Sequence, residues 1–159
     1  MSVVHEDEVE AVVTDRGKAH YRRRQLGKAA GGSALGCSLI ELPPSKSSWP
    51  FHWHAANEEA IYVLEGSGTL RLGEERLDVK AGSYAALRVG PEHAHQMINT
   101  GEVTLCYLVF STMEPVEVAG YPDSGKVGVL AGAAPGGGER YLSAFFSKGA
   151  NVDYWDDET

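Results

Sequence analysis

From Ala34 to Phe110 the chain is cut into short strand-like runs at even spacing, and that regularity leaves few architectures open. The runs are Leu35 to Leu42, Trp49 to His54, Ala60 to Leu64, Gly68 to Leu72, Arg76 to Val79, Tyr84 to Val89, Ala94 to Ile98 and Val103 to Phe110. Turn-formers separate them, among them Pro43-Pro44-Ser45, Glu65-Gly66-Ser67, Lys80-Ala81-Gly82, Gly90-Pro91 and Asn99-Thr100-Gly101. Helix periodicity is almost absent. Many short strands with a turn signal between neighbours predict an all-β sandwich or barrel. A length of 159 residues suits one domain, long enough to close a barrel around its own core.

The two ends read differently. Residues 1–33 are polar and weakly periodic, and we expect an N-terminal arm. Residues 34–112 form the expected core barrel, and residues 113–159 a C-terminal extension. Within that extension Ala131 to Gly138 has too little side chain to bury and is expected to be mobile. A last strand is predicted from Arg140 to Phe146. The segment from Val116 to Glu139 then reads either as a gate over the open end of the barrel or as an inert connection, with Tyr121-Pro122 and Tyr154-Trp155 as anchors.

Charge and composition exclude several classes. The net charge is −8, from 14 basic and 22 acidic residues, which argues against a nucleic-acid partner. The single basic run, Arg22-Arg23-Arg24, reads as a solvated edge. No apolar stretch approaches the ~20 residues that span a bilayer. The first residues lack the basic and apolar regions of a signal peptide, so no membrane partner and a cytoplasmic location are expected. Cys37 and Cys106 sit in apolar runs without a C-x-x-C pattern and read as two buried thiols.

The chemistry concentrates at His52-Trp53-His54. In a strand, side chains two apart share a face, so His52 and His54 project together and Phe51 and Trp53 point the other way, toward a packing sheet or a partner subunit. Glu59 opens the next apolar run, with Ile61 and Val63 on its face. The stretch Pro91-Glu92-His93-Ala94-His95-Gln96-Met97-Ile98-Asn99 can supply a further imidazole, from His93 or His95. Imidazoles with one carboxylate suit a first-row divalent ion and leave open coordination positions.

At these residues the chain resembles the cupin superfamily. That family's first motif has His-x-His, three or four residues, Glu, six residues and Gly, and His52, His54, Glu59 and Gly66 fit it. Its second motif is approximated by Gly82, Arg88-Val89-Gly90, His95 and Asn99, with departures. Arg88 replaces a Pro, four residues instead of two separate Gly90 from the His, and Lys46 replaces the Gly that opens the first motif. The resemblance implies a single-domain cupin, a double-stranded β-helix or jelly-roll barrel. It also implies His52, His54, Glu59 and His95 as ligands of one divalent transition metal, which Zn, Mn, Fe, Ni, Co or Cu would all satisfy. Asn99 follows His95 at the family interval, which places His93 beside the ligands or on the surface. Tyr121 to Lys126 and Val152 to Glu158 look like the tail of a bacterial subgroup of small cupins of largely unassigned activity.

From this follow the functional expectations. The first is a metal-dependent enzyme on a small polar or anionic molecule, such as a sugar, a sugar phosphate or an organic acid, with isomerase-, decarboxylase- or oxygenase-type chemistry. The alternative is a non-catalytic module that binds a small ligand or metal. No catalytic residue is assigned beyond the ligands. A homodimer is expected, because outward-facing Phe51 and Trp53 would need cover.

Overall fold

The computed structural model describes residues 3–134 and 137–158. Its strands are β1 (Val12–Arg16), β2 (Ala19–Arg24), β3 (Leu35–Leu42), β4 (Trp53–His54), β5 (Glu59–Glu65), β6 (Ser67–Leu72), β7 (Glu75–Lys80), β8 (Tyr84–Leu87), β9 (His95–Ile98), β10 (Leu105–Thr112), β11 (Val116–Tyr121), β12 (Lys126–Ala131) and β13 (Leu142–Ser147). One short helix, α1 (Leu26–Ala29), links β2 to β3. Among the described residues no helix is long and apolar enough to cross a membrane.

These strands build the all-β barrel expected from the spacing, in the jelly-roll form that the resemblance implies. One wall is a sheet ordered β1-β2-β3-β10-β5-β8, facing the smaller sheet β7-β6-β9, and a third sheet, β13-β12-β11-β4, continues the barrel at one end. Period-two alternation makes the core: Ile40 and Leu42, Ile61 and Val63, and Leu105 and Tyr107 turn inward from three neighbouring strands and meet Leu70, Val79, Leu87 and Met97. Gly66 turns the chain between β5 and β6 at φ +80°, where a Cβ would meet the Thr104 carbonyl oxygen at 2.7 Å.

Four expectations need correction. The polar N-terminal arm adds β1 and β2 to the main sheet, because Tyr21 supplies a ring to the core, tilted against Trp49 at 4.6 Å, and β2 pairs with β3. The run Arg22-Arg23-Arg24 is no solvated edge: Arg22 and Arg24 both pair with Glu41 on β3, and Arg23 lies over Trp49. The stretch from Trp49 is interrupted at Pro50, so only Trp53 and His54 form regular strand. In the C-terminal extension, Val116 to Ala131 is a paired hairpin that buries Glu117, Ala119, Leu130 and Ala131, not a poorly packed loop. Part of the predicted mobile stretch, residues 135–136, lies outside the described residues.

The outward aromatic surface is also absent. Phe51 is buried beneath the Arg71 guanidinium, 3.5 Å from its ring centroid, and Arg71 is held there by a two-pronged pair with Asp123. The Trp53 ring lies against Gly120 of β11, where any side chain would collide with it. Both rings are thus covered within the chain. Cys37 and Cys106 are free thiols, half-buried on paired strands.

Candidate metal centre

Backbone pairing at the seam between two sheets brings the expected ligands together. His52 and His95 form an isolated antiparallel bridge, with His95 N donating to His52 O at 2.7 Å and His52 N to His95 O at 3.2 Å. His54 follows on β4, locked beside Ala119 of β11, and Glu59 opens β5. One ligand atom from each of His52, His54, Glu59 and His95 lies within 4.8 Å of all the others.

The outer ring nitrogens decide what the inner ones can do. Nδ1 of His52 meets the Pro50 carbonyl at 2.7 Å, Nδ1 of His95 the His93 carbonyl at 3.0 Å, and Nδ1 of His54 the Glu117 carboxylate at 3.2 Å. Carbonyls and carboxylates only accept, so each Nδ1 carries its proton, and a neutral ring then presents a bare lone pair at Nε2. Those lone pairs face Glu59: its Oε2 lies 3.1 Å from His95 Nε2 and 3.8 Å from His54 Nε2. Lone pairs and a carboxylate at such range repel unless a proton or a metal ion sits among them, and with a proton on Nε2 the His95–Glu59 contact is a hydrogen bond. The buried Nε2 of His54 has no hydrogen-bond partner among the described residues. This donor set fits a divalent transition ion, with Nδ1 anchored from behind as ligating histidines require.

Titration follows the same geometry. Burial, reinforced by the neighbouring His95 and His54, pushes His52 down to about 4. Burial acts the same way on His54, but the hydrogen bond to Glu117 and the charges of Glu59 and Glu117 outweigh it and raise its pKa. Glu59 is buried too, yet the His95 hydrogen bond and the three imidazoles hold it below the usual carboxylate range.

Residues 38–111 match the cupin domain family. The chain carries a cupin domain there. An uncharacterised protein of Methanocaldococcus jannaschii is 36% identical over 46% of this cupin and 58% of its own length. The chain spans about three fifths of the length of the curated relatives it matches. Among solved structures, a sugar phosphate isomerase of the cupin superfamily from Silicibacter pomeroyi is 25% identical, with a TM-score of 0.79 over 97% of this chain and 98% of that one. A candidate sugar phosphate isomerase from Acidithiobacillus ferrooxidans, 24% identical, shares the fold with a TM-score of 0.81 over 92% of this chain and 90% of that one.

The departures from the cupin motifs turn out to be local. The two extra residues after Gly90 are taken up by a 3-10 turn over Pro91–His93, entered through Gly90 at φ +115°, so His95 still reaches its bridge with His52. His93 contributes its carbonyl to His95, while its ring faces Glu92 at 3.5 Å and does not line the cavity. Asn99, fully buried, closes the following turn: its amide donates to the Leu42 and Val103 carbonyls, and its oxygen accepts from Gly101 N.

Sequence reasoning missed Glu117. It is 1% exposed and accepts from the backbone of Ala55, Ala56 and Asn57, from the Asn57 side chain and from His54. Burial opposes its charge, but these donors hold its pKa down to about 2. Glu117 thus fixes both the His54 ring and the connection that leads from His54 to Glu59. The only signal in the sequence is a lone carboxylate at an inward position of the otherwise apolar run from Val116 to Tyr121.

The ligand cluster opens into a cavity of about 780 Å³. Ile61, Met97, Val109 and Leu130 make much of its wall apolar, and Tyr107 and Tyr121 add hydroxyls. The Tyr121 ring stacks on His52 at 6.1 Å. The Tyr107 hydroxyl is buried, with the Ser48 side chain beside it. Tyr62 lies on the outer face of β5 and does not line the cavity.

Proposed function

We propose that this cupin is a metal-dependent enzyme that holds one divalent transition ion on His52, His54, Glu59 and His95. Its substrate is a small polar or anionic molecule with two adjacent oxygens, such as a hydroxy-aldehyde, a hydroxy-ketone or a hydroxy acid, and isomerase-type proton transfer is the chemistry. The observation that carries this reading is the convergence of four donors, each histidine anchored from behind, on the wall of a cavity large enough for such a molecule. The sugar phosphate isomerase from Silicibacter pomeroyi, similar over nearly the whole of both chains, supports the reaction class.

When bound, the ion would polarise a substrate carbonyl or hydroxyl, its net charge lowered to +1 by one carboxylate and three neutral imidazoles. The chain's own groups do the rest. Tyr107 carries a buried O–H beside the Ser48 side chain, and a substrate oxygen reaching it would accept a hydrogen bond in a poorly hydrated wall. Burial raises the pKa of Tyr107 and of Tyr121, which keeps both as proton-bearing donors at neutral pH. Ile61, Met97 and Val109 exclude water beside them.

The test has two parts. Protein purified without a metal-affinity tag is assayed for bound metal, then incubated in D2O with a panel of hydroxy-aldehydes, hydroxy-ketones and their phosphate esters. Proton NMR should show metal-dependent loss of the signal beside the carbonyl. Stoichiometric metal with no exchange on any compound would leave a binding module instead.

A homodimer belongs to the same proposal. Its support is now the edge strand β1, where Val12 and Val13 are exposed, and no longer the covered Phe51 and Trp53. Light scattering at micromolar concentration should give twice the monomer mass of 17.1 kDa.

A further inference from the structure

Charge is distributed unevenly around the cavity. Of 22 acidic residues in the chain only Glu59 lines it, whereas of 14 basic residues Arg23, Lys28, Lys126 and Arg140 do. On a chain of net charge −8 that excess is opposite to the overall balance. These cations are also short of counterions: among the described residues none of the four pairs with a carboxylate, while Arg22, Arg24 and Arg71 all do.

Each of the four is instead held by weak or neutral partners. Lys28 Nζ donates to the Gly137 carbonyl at 3.4 Å, which ties α1 to a residue lying between β12 and β13. Arg140 donates Nε to the Ala133 carbonyl at 3.0 Å, which orients the guanidinium and leaves its Nη groups for a ligand. Lys126 Nζ sits 5.7 Å from the Tyr121 ring centroid, and Arg23 6.0 Å from that of Trp49. Such contacts position a cation without neutralising it. Like charges gathered in a walled cavity repel one another and raise the local potential, and an anion relieves both.

We propose that this mouth is a subsite for the phosphoryl group of a substrate whose other end reaches the four-ligand cluster. Tyr121 links the two: its ring lies 6.1 Å from the His52 ring and 5.7 Å from Lys126 Nζ, and all three line the same cavity. Guanidinium and ammonium groups lining one cavity mouth suit a phosphoryl dianion, which brings more charge and more acceptor oxygens than a single carboxylate. This inference rests on the metal-held reading above only for the molecule's far end.

Glycerate, 3-phosphoglycerate and malate test it by calorimetric titration of zinc-loaded and zinc-free protein. Glycerate carries the two adjacent oxygens alone, 3-phosphoglycerate adds a distal phosphoryl group, and malate adds a carboxylate. Phosphoglycerate should bind zinc-loaded protein about tenfold more tightly than glycerate, the size of one charge-assisted contact. That advantage should fall below about threefold in the Lys126→Gln/Arg140→Gln variant with glycerate binding unchanged, and Lys126→Arg should keep it. Equal affinity for the two compounds, an advantage that survives the double substitution, or malate binding as tightly as phosphoglycerate would each overturn the subsite. Phosphoglycerate binding that needs Lys126 and Arg140 but not zinc would sustain it and overturn the metal-held reading instead.

Discussion

The ligand cluster and the cavity mouth sit in one cavity and are built on opposite principles. At the cluster each side chain is over-determined: His52 and His95 are tied by a backbone bridge, every Nδ1 has an acceptor, and Glu117 gathers five donors. At the mouth, Arg23, Lys28, Lys126 and Arg140 each make one weak or neutral contact and lack a counterion among the described residues. A rigid cluster can hold an ion in fixed geometry, and a loosely held cationic rim can adapt to an anion. The difference should appear as unequal sensitivity to substitution.

The largest effect is expected where the cluster meets its support. Glu117→Ala strands the buried donors of Asn57 N and His54 Nδ1, and at about 1–3 kcal/mol for each unmet group the loss should be at least about 2 kcal/mol in urea denaturation. A loss under 1 kcal/mol would show that water replaces the carboxylate. Glu117→Gln, of the same shape, should fold and separate support from ligation, with metal affinity lowered about 10–100-fold by competition titration.

Next in size is the loss of a ligand. His54→Ala should abolish stoichiometric metal while the circular dichroism of the β-rich fold persists, because apolar burial and not the ion holds the barrel. Full metal occupancy in this variant would remove His54 from the ligand set.

Acid sharpens the comparison further. Glu117 is depressed to about 2, below the ordinary carboxylate value of 4.5. Its stabilisation is therefore complete above pH 4.5 and is lost as pH falls toward 2. Because Glu117 also raises the His54 pKa, the stability difference between the unsubstituted protein and Glu117→Gln should decline as pH rises above 6.5, and it should shrink as pH falls from 4.5 to 2. A difference that does not change over that range would mean Glu117 does not act through its charge. The smallest effect belongs to the mouth. Arg140→Gln should change stability by less than about 0.5 kcal/mol, and a larger loss would make Arg140 structural.

Much of this protein is legible without coordinates. The run lengths and turn-formers from Leu35 to Thr112 predict the barrel strands to within a few residues, since period-two alternation and Gly or Pro at the turns act locally. Strand parity puts His52 and His54 on one face, the resemblance to the cupin motifs adds Glu59 and His95, and the structure brings all four together. Trp53 and Phe51 mark where parity stops being informative, because it gives the direction of a side chain and not what covers it. Cover came from Gly120, some 67 residues away in sequence, and from Arg71.

Tertiary structure alone decided the rest. The N-terminal arm becomes β1 and β2 only because the edge of β3 is there to pair with, and the weakly patterned extension becomes a wall because β11 finds β4. Glu117 has no motif, and its role exists only where β11 meets the connection after His54. The cationic mouth joins Arg23 and Lys28 to Lys126 and Arg140 from opposite ends of the chain. Local propensity and periodicity act over a few residues and can be read in order, whereas counterions, caps and cavity walls depend on partners that only folding brings within reach.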